Sequence, residues 1–281
     1  RIGDFIWAAA DMRTKGFLIG GTAGRTTLNG EGLQHQDGHS HLIASTIPNL
    51  KAYDPAYAYE IAVIIQDGLD RMYKKNEDIF YYLTLENENY VHPKMPKDVE
   101  EGIIKGMYQI KKTKKTKLKV QLLGSGPILN EVIAASKLLY DDWGIGSDVW
   151  SVTSYSELHK DAEDINRWNL LNPDKKDKTS YLNQCLNKTE GPIIACSDYV
   201  KLVSEQISPY IDCDLVSIGT DGFGRSSSRN ELRDFFEIDK FYITLAAVNA
   251  LYKQDKIDIK LVKKVIETYN IDSDRVNPLK C

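Results

Sequence analysis

The sequence predicts an α/β fold built of two successive units, the second a mostly parallel sheet flanked by helices. Short apolar runs alternate with segments of helical periodicity along most of the chain. A stretch from Tyr90 to Lys119, with Pro93, Pro96 and many lysines, separates two such alternations. At 281 residues the chain also exceeds a typical single domain, so two cores are expected, with one large domain as the rival arrangement.

The first segment, "RIGDFIWAAADMRTKG", places Ile2, Phe5, Ile6, Ala9 and Met12 at helical spacing and ends with Lys15 and Gly16, a normal helix exit. No capping residue precedes that apolar face, so the sequence reads as a piece of something longer. "FLIGGTAG" is a short buried strand running into a Gly-rich loop that lasts until about Leu50. Asp54 as N-cap and Pro55 as first helical residue then open a helix whose stripe is Tyr57, Ile61, Ile64, Ile65, Leu69 and Met72. "IFYYLTL", Ile79 to Leu85, is rich in aromatic and branched residues and reads as the next strand.

Residues 1–95 form the first unit on this reading, 96–116 a linker and 117–281 the second unit. Within the second, "KVQLLGSG" is a strand, Pro127 opens a helix through about Asp142, and "SDVWSVTS" is a second strand, which makes a βαβ unit with parallel pairing. "PIIACS", a helix around "DYVKLVSEQI", and "DLVSIG" repeat the pattern. Ser228 to Glu231 forms an S-x-x-E capping box for "RNELRDFF", and two further helices, "KFYITLAAVNALYKQ" and "IKLVKKVIETYN", close the chain.

Composition excludes several function classes. A net charge of −4 and a pI near 5.8 give no global attraction to nucleic acid or an anionic membrane, and "KKTKKTKLK" reads as a solvated hairpin or linker. No run approaches the ~20 apolar residues of a membrane span, and nothing resembles a signal peptide. Cys185, Cys196, Cys213 and Cys281 form no CxxC pair, which suits free thiols in a reducing cytoplasm.

"GEGLQHQDGHSH", Gly30 to His41, holds three of the five histidines, and three readings of it are open. Imidazoles at His35, His39 and His41 beside Asp37 could converge on zinc, but three glycines leave them on a loose backbone and no structural-zinc spacing is matched, so no metal site is assigned. An active-site loop fits better, since histidine moves protons near neutrality and glycines let backbone approach a ligand. The third reading is structural, with imidazoles satisfying loop backbone groups. "GSG" at Gly124–Gly126 lacks the rest of any phosphate-binding motif and reads as a tight turn. "GTDGFGRSSSR", Gly219 to Arg229, reads as a capped loop packing against a neighbour rather than an anion nest. No serine sits in a nucleophile-elbow context.

Five long phrases, "RIGDFIWAAADMRTKGFLIGGTAGRTTLNGEGLQHQDGHSH", "YDPAYAYEIAVIIQDGLDRMY", "KVQLLGSG", "GSDVWSVTSYSEL" and "GTDGFGRSSSRNELRDFFEID", together resemble the homodimeric bacterial pyruvate dehydrogenases, from Arg1 to about Pro278. The resemblance implies two transketolase-like α/β units, residues 1–95 being the latter half of the pyrimidine-binding domain and 117–281 the carboxy-terminal domain. It implies thiamine diphosphate and magnesium as cofactors, pyruvate as substrate, a homodimer, and the dihydrolipoyl acetyltransferase component as partner, with no nucleic acid and no membrane. His35 matches the family's substrate-facing histidine, with His39 and His41 as lesser candidates. The family's diphosphate-and-magnesium motif and its pyrimidine-activating glutamate would precede Arg1, so no cofactor-binding residue is assigned and the 281 residues alone are expected to be inactive. The competing expectations are a non-catalytic dimerisation or interaction module, and a related 2-oxoacid dehydrogenase or a transketolase proper.

Overall fold

A computed structural model describes residues 2–21, 23–113 and 116–281; Arg1, Thr22 and two lysines of the basic run, Lys114 and Lys115, lie outside the described residues. The first sheet is wholly parallel, in the order β1 (Phe17–Gly21), β3 (Phe80–Leu85), β2 (Leu50–Tyr53). The second has the order β4 (Met107–Lys111), β6 (Gly146–Val152), β5 (Lys119–Gly124), β7 (Ile193–Cys196), β8 (Leu215–Ile218), and its β4 alone runs antiparallel. The mixed α/β architecture with parallel-dominated sheets is the one the sequence predicts.

Helices cover the second sheet on both faces, so its strands are apolar on both sides. Along β5, Val120 and Leu122 enter the core formed with α5 (Ile128–Trp143), α10 (Lys240–Lys253) and α11 (Ile259–Thr268). Leu123 points to the opposite core, with α6 (Tyr155–Leu171) and α7 (Tyr181–Leu186). Removing one such side chain, as in Leu122→Ala, costs about 2–5 kcal/mol. Gln121 between them is fully buried, and its amide bonds to Glu190 O and Trp150 Nε1 satisfy it.

The two sheets share packing rather than standing apart. Glu60 of α3 (Ala58–Leu69) is fully buried, and its carboxylate accepts from the Ala56 and Tyr57 N–H groups and from the hydroxyls of Tyr108 on β4 and Ser151 on β6. Residues 96–116, expected as the linker, hold α4 (Glu100–Lys105) and β4.

Some local expectations give way to tertiary demands. Asp54 does not cap α3: the helix starts at Ala58, Glu60 serves its amino end, and Asp54 follows directly on β2 instead. Around "DYVKLVSEQI" only the short α8 (Leu202–Glu205) forms, because Val200 N–H donates to Gly38 O and Asp198 is engaged elsewhere. In α1 (Ile2–Asp11) Ala10 is buried while Phe5, and Met12 just past its end, both expected inward, are exposed. The capping box Ser228/Glu231 forms as read and starts α9 (Arg229–Phe235).

Candidate functional site

The carboxyl ends of the two sheets face each other, and the histidine loop lies between them. Asp54, following β2, donates its N–H to Thr153 O (2.8 Å) beyond β6 and accepts at its carbonyl from Gly126 N–H (3.1 Å) beyond β5. Glu86 follows β3, and Asp198 lies just beyond β7. From β1 the chain crosses these ends and enters α2 (Ser40–Ser45). Loops at the carboxyl ends of parallel strands are where open α/β sheets place ligands.

The second unit holds the first part of this loop. Asp198 is fully buried and accepts four hydrogen bonds, from the backbone and hydroxyl of Thr26 (2.9 and 2.7 Å) and of Thr27 (3.1 and 2.7 Å). Burial pushes its pKa up, while the Thr27 hydroxyl and the Arg233 charge act against that rise. Arg25 donates to the carbonyls of Thr220 (2.8 Å) and Gly222, and its guanidinium lies against Gly38, where an added Cβ would fall 2.2 Å from Nη2. A larger residue there would have to displace the guanidinium. Arg229 Nε donates to Thr27 O (2.9 Å), and Leu33 pairs with Gly224 in an isolated β-bridge. "GTDGFGRSSSR" is therefore a bracket that holds the histidine loop, as the packed-loop reading expected.

The three histidines are not gathered to one point. His35 is exposed, with Nδ1 3.0 Å from a Glu31 carboxylate oxygen. His39 is also exposed, and its backbone N–H donates to Asp37 Oδ1 (3.0 Å) in the turn that starts α2. His41 is buried, packs edge-on to Tyr199 at 4.7 Å, and sets Nε2 3.2 Å from Thr84 Oγ1. Burial lowers the His41 pKa to about 4 against the pull of Asp37, so the ring is neutral at pH 7. Thr84 in turn donates to Asp54 Oδ1 (2.7 Å), which completes a buried His41, Thr84, Asp54 chain.

Three carboxylates that sequence reasoning did not assign to the site converge here. Burial raises Asp54 to about 7, opposed by the hydrogen bond from Thr84. Burial and then the Asp54 charge raise Glu86 well above the usual carboxylate range, and neither of its oxygens has a hydrogen-bond partner among the described residues. With Asp198 they share one sequence signal: each acid stands at or just past the end of an apolar strand run, "LKAY", "FYYLTL" or "IIAC". "GSG" is occupied by this packing, since a Cβ on Gly126 would meet Asp54 Oδ2 at 2.8 Å.

Among the described residues no three His, Cys, Asp or Glu side chains are grouped to hold a metal ion. The cavity lined by His41, Asp54, Ser125 and Tyr155 has a volume of about 10 Å³, room for one water molecule and far short of a thiamine ring or a diphosphate. These residues by themselves do not enclose the cofactor that the family resemblance implies. All four cysteines are unpaired, and no helix among the described residues is long and apolar enough to cross a membrane.

Two family descriptions match the chain: "Pyruvate dehydrogenase E1 component middle domain" over residues 1–93, and "Transketolase-like TK C-terminal domain" over residues 106–239. Curated relatives described as pyruvate dehydrogenase E1 component include one from Pseudomonas aeruginosa, 57% identical over 283 residues, covering 100% of this chain and 32% of the relative. Another, from Escherichia coli, is 54% identical over 280 residues, covering 99% of this chain and 31% of the relative. The chain thus spans about a third of the length of these relatives. Among solved structures, transketolase from Campylobacter jejuni superposes with a TM-score of 0.65 at 19% identity, over 88% of this chain and 34% of that one, a likeness of fold.

Proposed function

The chain belongs to the pyruvate dehydrogenase E1 component family, and from that premise we propose that it supplies the histidine-bearing wall of an active site in which the complete protein decarboxylates pyruvate. The complete protein would pass the acetyl group to a lipoyl carrier of the dihydrolipoyl acetyltransferase component, as a cytoplasmic homodimer using thiamine diphosphate and magnesium. Residues 1–95 would form part of its pyrimidine-binding domain and 117–281 its carboxy-terminal domain.

The observation that carries this reading is the presentation of His35. Glu31 lies 3.0 Å from Nδ1 of the exposed ring; in the tautomer that donates this proton to the carboxylate, Nε2 is left as the acceptor for a substrate proton, and the protonated ring can orient a substrate carboxylate. The adjoining Gln36 is buried, which fixes the backbone from which the imidazole projects. His39 and His41 shape the loop in this scheme, the first at the helix start and the second in the buried chain to Asp54. Because the residues lining the cavity beside Asp54 do not enclose the cofactor, the 281 residues alone would neither bind it tightly nor turn over pyruvate.

The test is carbon dioxide release from pyruvate by the complete protein supplied with thiamine diphosphate and magnesium, beside larger 2-oxoacids and a transketolase sugar-phosphate assay. Preferred turnover of pyruvate supports the reading. Preference for a larger oxoacid or a sugar phosphate, or no turnover by folded protein, refutes it.

A further inference from the structure

We propose that Gln36 is a positioning residue for His35, clamping the histidine loop to the 219–229 bracket of the second unit so that the imidazole is held where the substrate reacts. The inference rests on the function proposed above and deepens it by naming the contacts through which Gln36 holds His35 in place.

The Gln36 side chain is buried, and two of its three hydrogen bonds cross the boundary between the units. Nε2 donates to Leu28 O (2.6 Å) within the loop and to Arg225 O (2.8 Å) on the bracket, while Oε1 accepts from Arg225 N–H (2.8 Å). A glutamine amide has two N–H donors and one carbonyl oxygen, so this arrangement uses both donors and the acceptor. The pairing with both backbone groups of Arg225 imitates a strand ladder, and it continues the β-bridge between Leu33 and Gly224. Gly224 leaves the room for it: a Cβ there would lie 2.7 Å from Gln36 Oε1 and 3.2 Å from Leu33 O.

Neighbouring residues of the loop thus face opposite ways, Gln36 into the bracket and His35 out to solvent. The exposed Glu31 contact is a weak tether, since exposed ion pairs contribute little. Backbone placement by Gln36 is then what limits the arc that the imidazole sweeps. Displacing a reacting group by about 1 Å costs about a hundredfold in rate, so loosening this clamp reaches the chemistry without touching substrate.

The experiment is a double-mutant cycle in the complete protein with its cofactors, Gln36→Met against His35→Ala. Methionine keeps the length and much of the volume while deleting all three bonds. Gly224→Ala, which pushes on the same amide from the other side, is the second variant should Gln36→Met fold poorly. In the His35 background we expect kcat to fall about tenfold to a hundredfold with KM for pyruvate and thiamine diphosphate binding changed less than about threefold. In the His35→Ala background the same substitution should change kcat less than about twofold. Hydrogen exchange should also quicken in peptides covering 28–36 and 219–229 together. An equal loss of kcat in both backgrounds, or unchanged exchange in both peptides, overturns the positioning role. If His35→Ala alone leaves kcat intact, the site reading itself fails and takes this inference with it, whereas a large His35→Ala effect with a silent Gln36→Met defeats only the inference.

Discussion

At one end of the loop His35 keeps 60% of its side-chain surface exposed beside Glu31, whereas six residues on His41 is sealed against Tyr199 and bonded to Thr84. The same side chain is free to meet a substrate at the first position and locked as a neutral structural donor at the second. Desolvation makes the difference, because a buried imidazole resists protonation. The outer half of the loop is held from the second unit, through Asp198, Arg25 and Gln36, and the inner half by its own sheet, through Thr84 and Asp54. A histidine count alone does not identify a reactive group; the attachment of each residue does.

The largest expected break in this contrast is at Asp198. Asp198→Ala strips four donors of their acceptor in a fully buried place, and stability should drop by about 3 kcal/mol or more in a denaturant titration. A loss below about 1 kcal/mol would mean that the second unit does not hold the loop.

The inner half should reveal itself through pH. His41, lowered to about 4, stays neutral in the folded state while the unfolded imidazole, near its ordinary 6.5, takes up a proton, so this group removes stability as pH falls from about 6.5 to about 4. Asp54, raised to about 7, keeps a proton that the unfolded carboxyl loses above about 4, so it removes stability as pH rises through that window. The two slopes offset each other between about 4 and 6.5. His41→Gln should therefore lose stability relative to wild type as pH rises across that range, and Asp54→Asn should gain it, each by about 1.4 kcal/mol per pH unit. Parallel stability curves would contradict the buried assignment of these groups.

The outer half should be nearly silent in the same measurement. His35→Ala at its exposed position is expected to shift unfolding free energy by less than about 0.5 kcal/mol at any pH from 5 to 8. A larger shift would make His35 a structural residue like His41.

Legibility in the sequence followed the range of the forces involved. The strands "FYYLTL", "KVQLLG" and "IIAC" are readable because each is an apolar run whose burial depends on its own residues, whereas "FLIGG", expected to be buried, forms an edge strand that stays half-exposed, with Ile19 at 51%. α6 was overlooked although Ser154 and Glu157 open it as an S-x-x-E pair, with Glu157 N–H donating to Ser154 Oγ; its many charged residues obscure the apolar stripe. Asp54 reads as a cap because Asp-Pro looks locally like a helix start, while the bond from its N–H to Thr153 is set by a strand almost 100 residues away. In the site, clustering made His35, His39 and His41 visible, but nothing local distinguishes them. The acid that secures their loop, Asp198, is separated from Thr26 by 172 residues. Nothing in the sequence around Glu86 sets it apart from other acids; its burial without hydrogen-bond partners does.

The central claim is that this loop presents His35 to the reacting substrate, and turnover of pyruvate by the complete protein carrying His35→Ala, with thiamine diphosphate and magnesium bound, tests it most directly. The account predicts a loss of about a hundredfold or more in kcat with folding and cofactor binding intact. Turnover within about twofold of wild type would contradict it and leave the loop a purely structural element.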